Sequence, residues 1–137
     1  MGWLFYYGVK QMEDIKEVIL NDEQLQEKLT FWQKKLRLQD WIIEVRVARA
    51  SEIERNRAAE VSWVLPKKMA SICILDQEDY PRGLMGERDM ENDLVHELLH
   101  LHFAPIHDFN SDNEHYEIYE EQAIESITYG LIALERT

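Results

Sequence analysis

The apolar positions in the first third of the chain follow a helical period. Between Asn21 and Leu36 they recur every three or four residues with charged residues between them, which predicts an amphipathic helix. Asn21 suits the N-cap, because Gln24 stands three residues later as in a capping box. A shorter helical signal over residues 12–19 precedes it. The chain is therefore expected to begin with helices.

Three segments with strand patterns follow. Apolar and polar residues alternate over residues 41–48 and again over residues 59–65, which is typical of half-buried strands. Residues 69–75 are apolar almost throughout, which favours a strand in the centre of the sheet. Residues 76–87 hold one proline and two glycines and are predicted to form a loop that separates this sheet from the rest.

The last third of the chain predicts two helices. Residues 88–103 are apolar nearly all round, as in a buried helix, and Pro105 is expected to end it. Residues 111–114 resemble a capping box at the head of a final helix. The expected core face of that helix comprises Ile124, Ile127, Leu131 and Leu134. Together the segments predict one α+β domain over residues 1–137, with about three strands in a mixed sheet.

Charge and cysteine content narrow the choice of partner and compartment. The net charge is −12, from 27 acidic and 15 basic residues, and this field repels phosphate backbones and anionic membranes. We therefore expect neither nucleic acid nor membrane as a partner. Cys73 is the only cysteine, so no disulfide can form within the chain and the cytoplasm is the expected location.

The strongest chemical signal is the sequence His96-Glu97-Leu98-Leu99-His100 in the buried helix. Residues four apart lie on one helical face, so both imidazoles can reach a single metal ion. Glu97 is rotated by roughly 100° from His96, beside the ion, where it suits a general base. Such polar residues in an apolar helix are costly without a strongly positive partner. Zinc fits, because two imidazoles and a carboxylate leave one position open.

Two residues of the final helix compete for the place of third ligand. Glu121 belongs to an i, i+4 stripe with Glu117 and Glu125, whose mutual repulsion a divalent ion would reverse. In that arrangement Glu125 accepts a hydrogen bond from one ligand histidine. The alternative ligand is His115, fifteen residues after His100. No role is assigned to the remaining histidines and tyrosines near the motif, which are His102, His107, Tyr116, Tyr119 and Tyr129.

The segment from Asp93 to Leu134 resembles the catalytic core of gluzincin metallopeptidases. In that family a helix bearing a Glu ligand follows H-E-x-x-H by about twenty residues, with an acid one turn later, and Glu121 and Glu125 match those positions. Glu120 replaces the usual Asn before the ligand, and Glu125 replaces the commoner Asp. In its small size the chain is similar to minigluzincins and to phage or bacterial peptidases. The resemblance implies a zincin fold, with a mixed sheet over the active-site helix.

The rival resemblances share this chemistry. The spacing to His115 is similar to that of SprT-like proteases, which use three histidines but act around DNA with basic surfaces. An ImmA-like peptidase with a specific protein substrate is another alternative. The leading expectation is a zinc metallopeptidase with Glu97 as the general base and a peptide or protein substrate lying against an edge strand. The rivals from other classes are a catalytically silent, zinc-stabilised binding module and a non-peptidase amidase.

Overall fold

The structure, a computed structural model, describes residues 17–81 and 87–137. Within these ranges the chain is α+β, as predicted. Its elements are α1 (Asp22–Lys35), β1 (Ile42–Ala48), β2 (Ala59–Val64), β3 (Met69–Leu75), α2 (Met90–Phe109) and α3 (Glu114–Glu135). Most of the helical signal over residues 12–19 lies outside the described residues. The described end of that signal is not helical, since Val18 forms an isolated bridge with Asp89.

Helix α1 begins as the sequence predicts. The Asn21 side chain accepts a hydrogen bond from the backbone N–H of Gln24 at 2.8 Å, and the Gln24 side chain accepts one from the backbone N–H of Asn21 at 3.0 Å. This capping box satisfies two backbone donors that a helix start leaves free. Leu25, Leu29 and Trp32 then form the buried face of the helix.

The three strands form one mixed sheet in the order β1-β3-β2. Strand β1 is parallel to β3, with Val45 opposite Ile72, and β2 is antiparallel to β3, with Trp63 opposite Ala70. The apolar strand β3 is central, as predicted, and Ile72 and Ile74 are fully buried. Among the described residues β2 pairs on one side only, which makes it an edge strand.

Helix α2 packs its apolar residues into the core but does not end where the sequence predicted. It runs four residues past Pro105 to Phe109. Proline removes one backbone hydrogen bond and crowds the preceding turn, which usually interrupts a helix. Tertiary contacts hold the last turn here: Ala104 is fully buried, and both His107 and Asp108 bind side chains of other elements. The prediction that Pro105 ends the helix was wrong.

Helix α3 also departs from its predicted start and face. Its N-cap is Asn113, whose side chain accepts from the backbone N–H of His115, so the predicted capping box at residues 111–114 is wrong. The buried stripe runs at steps of four through Ile124, Thr128 and Ile132. Of the predicted core face, Ile124 is buried, whereas Ile127 and Leu134 are exposed. Within the described ranges, none of the helices is long and apolar enough to span a bilayer.

A buried arginine fixes α2 against the sheet. The guanidinium of Arg88 donates to the Leu75 carbonyl at 2.8 Å and to the Asp93 carboxylate at 2.9 Å, and it lies over the Tyr80 ring. Arg88 is 2% exposed, so these charge-assisted bonds are shielded from water. They connect the end of β3 to the first turn of α2, one turn before the H-E-x-x-H motif, and so help to set the position of that motif.

Candidate metal centre

His96 and His100 lie on the same face of α2, as their spacing predicts. Their ring centroids are 5.1 Å apart. Both rings are largely shielded, with side-chain exposures of 14% and 9%. The apolar neighbours Val95, Leu98 and Leu99 are buried in the core. The two imidazoles lie on the face of α2 that contacts α3.

Glu121 of α3 lies against both imidazoles. Its Oε2 atom is 3.0 Å from Nε2 of His96, and its Oε1 atom is 2.8 Å from Nε2 of His100. The two histidines and Glu121 each offer one ligand atom, and these atoms lie within 4.8 Å of one another. Ligand bonds of about 2.0–2.2 Å put the donors of a tetrahedral zinc site about 3.3 Å apart. The observed spacing is therefore compatible with one ion held by all three residues.

The second nitrogen of each imidazole also faces a carboxylate. Nδ1 of His96 is 3.1 Å from Oε2 of Glu125, and Nδ1 of His100 is 3.8 Å from Oε1 of Glu120. The first is a close ion-pair contact, whereas the second is too long for a hydrogen bond. The sequence suggested Glu125 as an acceptor for a ligand histidine, and in the structure Glu125 lies next to His96.

Negative charge accumulates around the two imidazoles. The carboxyl groups of Glu120, Glu121 and Glu125 each lie within 4.0 Å of an imidazole nitrogen, and Glu97 lines the same cleft. Hydrogen bonds from His100 and His96 hold the pKa of Glu121 well below its usual range. Burial alone would lower the pKa of His96, but the hydrogen bond to Glu121 and the neighbouring acids outweigh it, so this pKa is raised.

Glu97 lies in a different environment from the other acids. It is 7% exposed, and burial raises its pKa to about 7 against the opposing charges of His100 and His96. A divalent cation at the neighbouring histidines would lower this pKa again, because opposite charge favours the ionised form. Carboxylates with pKa values near neutrality can both accept and release a proton at physiological pH.

Sequence reasoning missed a second cluster beside the histidines. Glu120 is 4% exposed, and its Oε2 atom lies 2.7 Å from Nδ1 of His107. The His107 ring packs edge-on against Trp63 of β2, with centroids 5.1 Å apart. The available signal was positional: His107 follows His100 by seven residues, about two helical turns, and so lies on the same face.

The alternative ligand His115 lies apart from this centre. It is exposed in the first turn of α3, where its backbone N–H donates to the Asn113 side chain. Among the described residues, the group whose ligand atoms converge contains His96, His100 and Glu121 and does not include His115. His102, the remaining histidine of α2, points elsewhere, with Nε2 2.6 Å from the Leu36 carbonyl.

The converging side chains line a cleft with a volume of about 1640 Å³. Strand β2 contributes Ala59, Val61 and Trp63 to its lining, and α2 and α3 contribute the histidines and acids. Ligand clefts of this kind combine apolar walls with a few convergent polar groups. Comparisons of the chain with families of known proteins, with curated proteins and with solved structures find no match.

Proposed function

We propose that this protein is a zinc-dependent peptidase of zincin type that cleaves a peptide or protein substrate in the cleft between β2 and α3. The observation that carries the proposal is the convergence of His96, His100 and Glu121 within 4.8 Å, with the buried Glu97 beside them. The two histidines and Glu97 belong to α2 and Glu121 belongs to α3, so their convergence depends on how these two helices pack.

The donor set suits zinc. His96, His100 and Glu121 would hold the ion through two nitrogens and one oxygen, a set typical of catalytic zinc sites. Glu120, Glu121 and Glu125 also lie against the two imidazoles, and a divalent cation would offset their negative charge. When bound, zinc supplies a Lewis acid that polarises a carbonyl group and acidifies a water molecule.

Glu97 is the proposed general base. Its carboxylate takes a proton from the attacking water as the new C–O bond forms at the peptide carbonyl carbon. It then delivers that proton to the amide nitrogen as the C–N bond breaks, which releases an amine and an acid. Glu97 is 7% exposed and directly follows His96 in α2, so its carboxylate would act beside the cation and away from bulk solvent.

The edge strand β2 is the proposed binding surface for the substrate main chain. One side of β2 pairs with β3, and Ala59, Val61 and Trp63 line the cleft. An extended peptide can add to such an edge through main-chain hydrogen bonds, with its side chains alternating in direction. The strongly acidic surface also favours a neutral or basic peptide over nucleic acid.

The test is cleavage of a diverse peptide library by the zinc-loaded protein, read by mass spectrometry. We expect cleavage by the wild type, none by Glu97→Gln, and wild-type cleavage by Glu114→Gln, which removes an exposed acid that does not line the cleft. Equal cleavage by wild type and Glu97→Gln would contradict the role of Glu97. Zinc binding without cleavage by any of the three would favour the binding-module alternative.

A further inference from the structure

The two imidazoles of the candidate metal centre have matching surroundings. Each presents Nε2 to Glu121, and each has a further carboxylate on its Nδ1 side. That carboxylate is Glu125 for His96, at 3.1 Å, and Glu120 for His100, at 3.8 Å. The sequence suggested the first of these pairs, whereas nothing in the motif assigned a function to Glu120.

Glu120 is short of one hydrogen bond. It is 4% exposed, its Oε2 atom is bonded to His107, and its Oε1 atom is buried with no hydrogen-bond partner among the described residues. A buried carboxylate oxygen without a donor is destabilising, so such an atom calls for an explanation. The Nδ1 atom of His100 is the nearby ring nitrogen that can supply the donor.

A cation bound to His100 would provide this hydrogen-bond donor. A histidine that binds a cation through Nε2 carries its ring proton on Nδ1, and the partner of that N–H fixes the ring orientation. The Nδ1 proton of His100 would then face the unpartnered oxygen of Glu120. A shift of about 1 Å brings the two atoms from 3.8 Å to hydrogen-bonding distance.

We propose that Glu120 is a positioning residue that holds His100 with its proton on Nδ1 and connects it, through His107, to the edge strand. The connection continues from the His107 ring to Trp63, whose indole N–H also donates to Asp108 at 3.2 Å. The proposal rests on the proposed function, because it requires His100 to hold a cation. It links one metal ligand to the strand on which the substrate is expected to lie.

Zinc affinity is the first readout, measured by competition with a chromophoric chelator. Glu120→Gln keeps the size of the side chain but removes its charge, and it should lower zinc affinity about 10–100-fold, as loss of a partner of a ligand histidine does. Two controls separate this effect from general changes. Glu114→Gln removes an exposed acid of α3 that does not line the cleft, and Tyr116→Phe removes another buried, unpartnered oxygen close to Glu120. Both should keep wild-type affinity.

The second readout is the tautomer of His100, observed by NMR of zinc-loaded protein labelled with ¹⁵N-histidine. In the wild type we expect a protected Nδ1 proton on His100, and in Glu120→Gln a shifted signal that exchanges faster with water. An unchanged signal together with unchanged zinc affinity would overturn the role of Glu120 while leaving the metal centre in place. A wild type that binds no zinc would overturn the proposed function, and this inference with it.

A second variant covers the case in which Glu120→Gln does not fold. Glu120→Asp retains the charge but shortens the side chain by one methylene, so it can no longer reach both His107 and His100. Lower zinc affinity in this variant supports the proposal, and wild-type affinity contradicts it.

Discussion

The Nδ1 atom of His96 lies 3.1 Å from a carboxylate oxygen of Glu125. A ligand histidine anchored in this way keeps its tautomer and orientation, and loss of the anchor typically lowers metal affinity about 10–100-fold. We therefore expect Glu125→Ala to bind zinc more weakly than the wild type by this factor, in a competition assay with a chromophoric chelator. Wild-type affinity in Glu125→Ala would show that the contact has no part in metal binding.

The identity of the third ligand can be decided by the same assay. Glu121→Ala should lose far more zinc affinity than Glu125→Ala, because it removes the carboxylate whose two oxygens each contact one imidazole. His115→Ala should bind zinc as the wild type does, since His115 is exposed in the first turn of α3. A larger loss in His115→Ala than in Glu121→Ala would contradict the gluzincin-like ligand set and favour the SprT-like one.

Glu97 should make the metal-free protein less stable at alkaline pH. The folded protein keeps the Glu97 proton up to about pH 7, whereas the unfolded chain releases it near 4.5. The folded state thus binds more protons over this range, and its free energy of unfolding falls as pH rises. The full shift corresponds to about 3 kcal/mol.

Glu97→Gln isolates this effect, because glutamine stays neutral at every pH. In the presence of a chelator, urea unfolding should find Glu97→Gln more stable than the wild type at pH 8 and equally stable at pH 4. The same difference at both pH values would show that the pKa of Glu97 is not raised by burial.

Local patterns predicted those parts of the fold that depend on neighbouring residues. The capping box at Asn21 and the apolar run of β3 depend on short-range hydrogen bonds and on burial, both of which are visible in sequence. Pro105 was misread because contacts of the last turn of α2 with β2 and α3 outweigh the helix-breaking tendency of proline. Such contacts join residues far apart in sequence, so the pattern of apolar and polar residues around Pro105 does not predict them.

Some residues of the candidate site could also be predicted from local spacing, whereas others depend on tertiary packing. His96, Glu97 and His100 could be found because four-residue spacing in a helix brings two ligands to one face. Glu121 could be suggested from its spacing along α3, whereas its contact with both imidazoles depends on how α2 and α3 pack. Glu120 gave no signal of its own, because a glutamate in an acidic helix N-terminal region is common without any partner.

A buried ion-pair network at the N-terminal end of α2 should stabilise the fold. Glu91 is 5% exposed and accepts hydrogen bonds from the Trp32 indole and the Arg136 guanidinium, each at 2.8 Å. Glu91→Ala leaves the buried indole N–H without an acceptor and should lower the free energy of unfolding by about 1–3 kcal/mol. Glu27→Ala, on the exposed face of α1, should change it by less than about 0.5 kcal/mol. Equal effects in urea unfolding would contradict the network's role.

The zinc content of the protein tests the central claim most directly. Wild type, His96→Ala and His100→Ala are each saturated with zinc, freed of excess metal by gel filtration and measured by plasma emission. The account predicts about one zinc per chain in the wild type and a large loss in both variants, since each removes one of three protein ligands. A wild type without zinc, or variants that retain a full equivalent, would contradict it.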